Sequence, residues 1–402
     1  MLSLLGANLI SSTGSRVSSV AVPWYVLTRT GSAESTGLAA AASVLSAVLT
    51  GALAGTLVDR FGHKRASVVS DVVSAVTVAA IPTMDLLLGF NLGLLLVLLF
   101  VSSLLTVPGA TARQSLTPEL AELAKLPLHR VNAVYSTVQR GTQLVGPAVA
   151  GVLIAAVGPV NAIWIDAASF LASAILVSVA VPSVRGKAVA RQNYWDDLRA
   201  GVSFLRKDAL VRSIIVSIAA HNILAAPILA IGLPTYGVTV LRDPVALGVL
   251  LAGFGGGAVA GGILYAVFGQ RAPRRGLFVA CYLVSGVPFG LIGLTNSAVL
   301  AFLILVVIGL AAGPINPIIA TAIQERVPSE FRARVWSATI AAVYATTPFA
   351  MIWAGIAIAN FGISPTLQYT GVAYVVVALL GWRFGALADF KDERREVPPL
   401  TT

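Results

Sequence analysis

Apolar runs of about 20 residues, each ended by a short polar break, recur twelve times along the 402-residue chain. A stretch of that length crosses the ~30 Å hydrocarbon core of a bilayer when helical. The pattern therefore predicts an all-α integral membrane protein with twelve transmembrane helices and no separate soluble domain. The first run starts at Met1 without a basic lead and is too long for the apolar core of a secretory signal, so it reads as the first span. Two polar stretches interrupt the rhythm. Residues 182–212 carry seven Lys and Arg, and 389–402 are charged and contain prolines. They divide the chain into a first six-helix half (1–181), a cytoplasmic linker (182–212), a second six-helix half (213–388) and a tail (389–402). Within the linker Trp195, Leu198, Val202 and Leu205 recur at helical spacing opposite Asp196, Asp197, Arg199 and Arg206. That spacing suits a short interfacial helix, with a plain solvated connector as the alternative.

An internal repeat supports two halves. Ala110–Pro118 aligns without gaps on Ala320–Pro328 at an offset of 210, matching at five of nine positions, and the two copies close the fourth and tenth runs. Two parallel six-helix repeats about an axis normal to the membrane account for this placement.

Composition sharpens the class. Hydrophobic residues make up 57%, charged residues 11%, and mean hydropathy is +0.88, whereas soluble domains carry about 25% charge. The net charge of +10 raises the question of nucleic acid, and the placement of the bases answers it. With a cytoplasmic N-terminus, every Lys and Arg except Arg16, Arg29, Arg140 and Arg242 falls on the cytoplasmic side. This is the positive-inside asymmetry of a multi-pass protein in a bacterial inner membrane with both termini cytoplasmic, and not a nucleic-acid groove. No G-x-x-x-x-G-K-[ST] run is present, so ATP-driven chemistry has no support. Three scattered histidines and a lone Cys281 offer no metal site and no intrachain disulfide. Neither an enzyme activity nor a cofactor is expected.

The break after the second run reads Gly55-Thr-Leu-Val-Asp59-Arg60-Phe-Gly62-His63-Lys64-Arg65. It resembles the G-x-x-x-D-R-x-G-R-R/K loop motif of the major facilitator superfamily, departing only at His63. Pro108 to Gln114, Gly141 to Gly151, Ile165 to Leu171, Gly313 to Pro317 and Gln324 to Pro328 extend the resemblance over nearly the whole chain. They look like the drug:proton antiporter branch that holds macrolide and multidrug exporters and is similar to the enterobactin exporter. The resemblance implies a cytoplasmic gate formed by Gly55, Asp59, Arg60, Gly62, Lys64 and Arg65, with Arg113 of the fourth helix facing Asp59; a topogenic basic loop is the alternative. Family members usually have a short lead before the first helix, so the start is expected a few residues upstream of Met1.

Ionisable groups inside spans cost roughly 2.5–3.5 kcal/mol each on insertion scales and are functional candidates by default. Asp71, Asp166, Arg140 and Arg16 are the candidates for proton coupling, with structural ion pairing as the competing account. Gly146, Pro147 and Gly151 resemble the antiporter motif of export members, with Ala150 in place of one of its glycines; they allow close packing and a bend. His221, Asn222 and Asn316 are candidate cavity residues, and Pro314 with Pro317 predicts a broken tenth helix. Trp24, Tyr25, Trp164 and Tyr236 fall near outer ends and read as interfacial anchors. The function this implies is secondary active efflux of an amphipathic small molecule, drug or macrolide-like, by proton antiport with alternating access, the chain acting as a monomer. Export of an endogenous siderophore or secondary metabolite is the alternative, and a non-transporting scaffold or sensor the remote one.

Overall fold

The computed structural model describes residues 1–51, 58, 61–182, 203, 208–269 and 274–383. Helices account for the regular structure among them: α1 (Leu2–Thr30), α2 (Ala33–Gly51), α3 (His63–Leu88), α4 (Leu92–Leu123), α5 (Leu128–Val157), α6 (Pro159–Ala180), α7 (Ala209–Pro227), α8 (Pro244–Phe268), α9 (Arg274–Ile292), α10 (Ala298–Ala312 and Ile315–Arg326), α11 (Ser329–Phe361) and α12 (Ile363–Arg383). Helix α7 runs on to Leu241 through two π turns, Ile228–Gly232 and Gly237–Leu241. Ten of these helices are long and apolar enough to cross a membrane, and Gly276–Ile292 adds a shorter apolar one. Helix α1 has the length, but Ser, Thr, Asn and Arg16 make it more polar. The break in α10 falls at Gly313 and Pro314, where Pro314 cannot donate to the helix ladder. The proposed linker helix and the tail lie outside the described residues.

Local chemistry sets the helix ends. Asn91, Asp208, Asp243 and Ser297 accept backbone N–H groups of the first turns of α4, α7, α8 and α10. Single glycines separate α5 from α6 and α11 from α12. Gly158 and Gly362 have φ of 82° and 80°, a region that a Cβ disfavours, so the chain reverses in one residue. The identical device at corresponding places is a second trace of the repeat.

Helices α1 to α6 pack chiefly on one another: α1 against α5 and α6, α3 against α4 and α6, α2 against α4. Helices α7 to α12 do likewise, with α8 against α10, α9 against α10 and α12, and α11 against α7. Residues 228–241 of α7 touch α1 and α2, and two more extensive pairings join the sets, α2 with α11 and α5 with α8. Both are built on glycine at the face opposite Met1, here termed the far face. A Cβ on Gly37 of α2 would stand 2.7 Å from the carbonyl oxygen of Met351 and 3.1 Å from Cα of Gly355 on α11. A Cβ on Gly248 of α8 would stand 2.5 Å from the carbonyl oxygen of Pro147 and 3.1 Å from Cα of Gly151 on α5. In each case the glycine meets its partner glycine and the carbonyl one turn before it, a close backbone approach that only glycine permits.

These contacts make a prediction. Backbone cannot yield as a side chain can, so Gly151→Leu is expected to destabilise the sealed far face by about 1–3 kcal/mol, as overpacking does. Spin labels at positions 161 and 243, in a Cys281→Ser background, should report a longer separation; an unchanged distance would show that the seam does not depend on Gly151.

Candidate functional site

Below the glycine seam the two sets diverge. On α5, Leu144 lies against Gly255 and Gly256 of α8, and from there toward the N-terminal face most of α5 is exposed. That exposure has two characters. Asn132, Ser136, Arg140 and Gln143 form a polar column continuous with the seam residues Pro147 and Gly151. Val134, Val145 and Val152 form an apolar column turned by more than 100° from it. The apolar column suits lipid, and the polar one faces the space between the sets. Helix α1 repeats the logic: Ser12, Thr13 and Arg16 are half-buried and Ser19 is exposed. The stem of Arg16 rests on Gly146, where an added Cβ would stand 2.5 Å from Arg16 Cβ and 2.9 Å from its Cγ. Gly146 therefore makes room for an arginine beside the cleft.

Behind this face lie two buried carboxylates with different surroundings. Asp71 of α3 accepts hydrogen bonds from Arg113 of α4, whose Nη1 lies 2.7 Å from Oδ1 and 2.9 Å from Oδ2, and from Ser173 Oγ of α6 at 2.7 Å. The side chains of Arg113 and Asp71 are only 5% and 3% exposed. Gly109 permits the approach, since a Cβ there would stand 2.8 Å from Ser70 Cβ. A gate candidate and a coupling candidate thus form one charge-assisted unit across three helices. Asp166 of α6 is equally buried but has no ion-pair partner among the described residues. Its Oδ1 is 3.4 Å from Ser169 Oγ, and that hydroxyl donates at 2.8 Å to the backbone carbonyl of Asp166. Gly14 of α1 covers it, with room for no Cβ.

The remaining candidates are dispersed. Gly55, Asp59 and Arg60 lie outside the described residues; Gly62 caps α3 with φ 81°, Lys64 is half-buried and Arg65 exposed. His63, the motif's departure, has its Nδ1 3.2 Å from Glu119 Oε1 at the end of α4. Arg113 meets Asp71 of α3, and the Asp59 expected to face it lies outside the described residues. In the second set, His221 sits between the rings of Tyr282 and Tyr374, with Tyr374 Oη 3.2 Å from its Nδ1, so it belongs to the packing of α7, α9 and α12. The Asn222 amide donates to Ile218 O at 3.0 Å, and Asn316 is exposed just after the α10 break.

The anchor reading fails for three of its four aromatics. Trp24, Tyr25 and Tyr236 are buried, and only Trp164 is exposed. Tyr25 Oη donates to Asp85 at 2.8 Å, tying α1 to α3, and Asp85 also pairs with Arg29. Tyr236 Oη donates to Thr295 O at 2.6 Å, tying α7 to the end of α9. Outer-end position alone does not say which side of a helix an aromatic occupies. The periodicity of α1 places Tyr25 with Val17, Ala21 and Leu4 on the packed side, a signal that was available. Ser173, Asp85, Gly37, Gly248 and Gly355 were not marked by the sequence; an offset near 210 relates Tyr25 to Tyr236 and Asp85 to Thr295.

The family model "Major Facilitator Superfamily" matches residues 4–338. The chain is 31% identical over 392 residues to "Multidrug efflux pump Tap" of Mycobacterium tuberculosis, covering 96% of this chain and 93% of that protein. It is 22% identical over 379 residues to "Macrolide efflux protein A" of Streptococcus pyogenes, covering 92% of each. Among solved structures, the nucleoside transporter NupG superposes with a TM-score of 0.80 at 14% identity, covering 94% of this chain and 97% of that one. The chain belongs to the major facilitator superfamily. It is a multi-pass membrane transporter with that family's twelve-helix fold, and not an enzyme.

Proposed function

We propose that this protein is a secondary active exporter that moves an amphipathic small molecule outward in exchange for protons. The observation that carries the reading is the position of the inter-set contacts: glycine seams close the far face, while a polar cleft opens toward the face bearing Met1. With that face cytoplasmic, as the distribution of basic residues favours, the conformation is the one that loads substrate from the cell. The relatives named as multidrug and macrolide efflux pumps support export as the direction. Residues 1–181 and 213–388 act as the two rocking bodies, joined by 182–212, and expose the cleft to each side in turn. Among the described residues both walls of the cleft come from one chain, which supports a monomer as the working unit. Of the two buried carboxylates, Asp166 carries the proton. Asp71 already has Arg113 as counter-charge, whereas a buried carboxylate without a cation needs a proton to be neutral.

The test is reconstitution in liposomes under an imposed pH gradient, with proton flux recorded while macrolides, dyes and catecholate siderophores are titrated in. Substrate-dependent proton movement is the expected result. Folded protein that moves no proton with any of them would sink the antiport reading.

A further inference from the structure

Among the described residues the cleft holds charge of one sign. Arg140 is exposed on the polar column of α5, and Arg16 borders the same space from α1. Among the described residues the carboxylates inside spans, Asp71 and Asp166, are buried behind the cleft. Others sit at helix ends, where Asp85, Glu119 and Asp208 face Arg29, His63 and Arg326. Neither Arg16 nor Arg140 has an ion pair among the described residues. Uncompensated guanidinium groups in a membrane cavity are expensive, and a planar donor fork suits a carboxylate or another paired-oxygen anion.

The internal repeat adds a second wall. Arg140 lies eleven residues before Gly151 on α5, and Tyr344 lies eleven residues before Gly355 on α11. Eleven residues are about three turns, so each side chain emerges on the same face as its seam glycine, about 16 Å below it. Tyr344 is 49% exposed. At equivalent depths the first set therefore presents a guanidinium and the second an aromatic ring.

We propose that the transported molecule is an amphipathic anion with an aromatic body, its acidic oxygens held by Arg140 and Arg16 and its ring seated against Tyr344. This rests on the efflux reading for its cavity, and it narrows the substrate class. Arginine fixes the anion by charge-assisted hydrogen bonds, and the tyrosine ring offers an offset or edge contact to the aromatic body. A cationic amphiphile of the same shape meets like charge at both arginines.

Carboxyfluorescein and rhodamine 6G share a xanthene ring and differ in charge. Their binding to the purified full-length protein in detergent, read by fluorescence polarisation, needs no pH gradient. Carboxyfluorescein is expected to bind at least about tenfold more tightly, the effect of one hydrogen bond to a charged group. Arg140→Gln and Arg16→Gln should each remove about that factor, Arg140→Lys should retain part of it, and Tyr344→Ala should weaken both dyes. Equal or tighter binding of rhodamine 6G, or no binding of carboxyfluorescein, overturns the proposal using unmodified protein alone, whatever the folding of the variants. Anion binding without proton-coupled movement would sink the antiport reading and leave this one standing.

Discussion

Arg113→Leu is expected to lower stability by about 3–5 kcal/mol, the cost of leaving a buried carboxylate without its counter-charge. The reason lies in the three-helix geometry. Asp71 receives two contacts from one guanidinium nitrogen and one from Ser173, and no water-exposed route offers replacement donors at this burial. Leucine removes the positive charge and two contacts, while Ser173 alone cannot neutralise Asp71. A second substitution separates this account from simple loss of packing. In Asp71→Leu/Arg113→Leu both charges are gone, and the penalty should shrink to a small fraction, since replacing a buried pair by apolar groups is often neutral or favourable. Ser173→Ala, which leaves the ion pair in place, should cost about 1 kcal/mol. Thermal unfolding of the purified variants in one detergent, followed by the surviving monodisperse fraction, measures all three. A double variant no more stable than Arg113→Leu would show that the arginine acts through its shape and not its charge.

Why this unit escaped the sequence is instructive. Asp71 and Arg113 stand 42 residues apart on neighbouring helices, and their places along each run do not say which neighbour either side chain faces. The motif resemblance directed attention to the Asp59 loop, which lies outside the described residues, and nothing in spacing points to α3 and α6. The helices themselves were legible because an apolar run of membrane length has few alternatives. Even α1, whose cleft strip makes it more polar, kept its length. The seam was legible in part: Pro147 and Gly151 stood out, with Gly146 beside them, through the resemblance to the antiporter motif. Gly37, Gly248 and Gly355 did not, since the chain has 37 glycines and a glycine at a helix crossing looks like any other until the crossing is known. His221 drew notice as a polar cavity candidate, and its ring packs in an aromatic cluster of the second set. A polar residue in a membrane helix can face a cleft or a neighbouring helix, and one sequence does not distinguish the two.

That distinction decides the second large effect, which concerns the two acids. Asp166→Asn is expected to abolish pH-driven accumulation while sparing downhill exchange. One charge moved across 100 mV is worth roughly 2.3 kcal/mol, which at 1.4 kcal/mol per tenfold sustains roughly a fortyfold gradient; a carrier without its protonatable group forfeits that. Asparagine keeps the size and polarity of the side chain beside Ser169 and Gly14, so folding and the cleft, which lies on the far side of α1, should be little changed. Asp166→Glu retains a carboxyl and should restore part of the gradient, limited by the tight fit against Gly14. Asp71→Asn should behave differently: it leaves Arg113 buried without its anion, so the yield of folded protein falls, but each folded molecule should still couple. Proteoliposomes loaded with substrate report both quantities, net movement under a pH gradient and isotope exchange without one. Should Asp166→Asn accumulate substrate as well as the unmodified protein while folded Asp71→Asn does not, the proton would travel on the Asp71–Arg113 pair, and the unpaired carboxyl of α6 would be a packing feature of the α1–α6 contact.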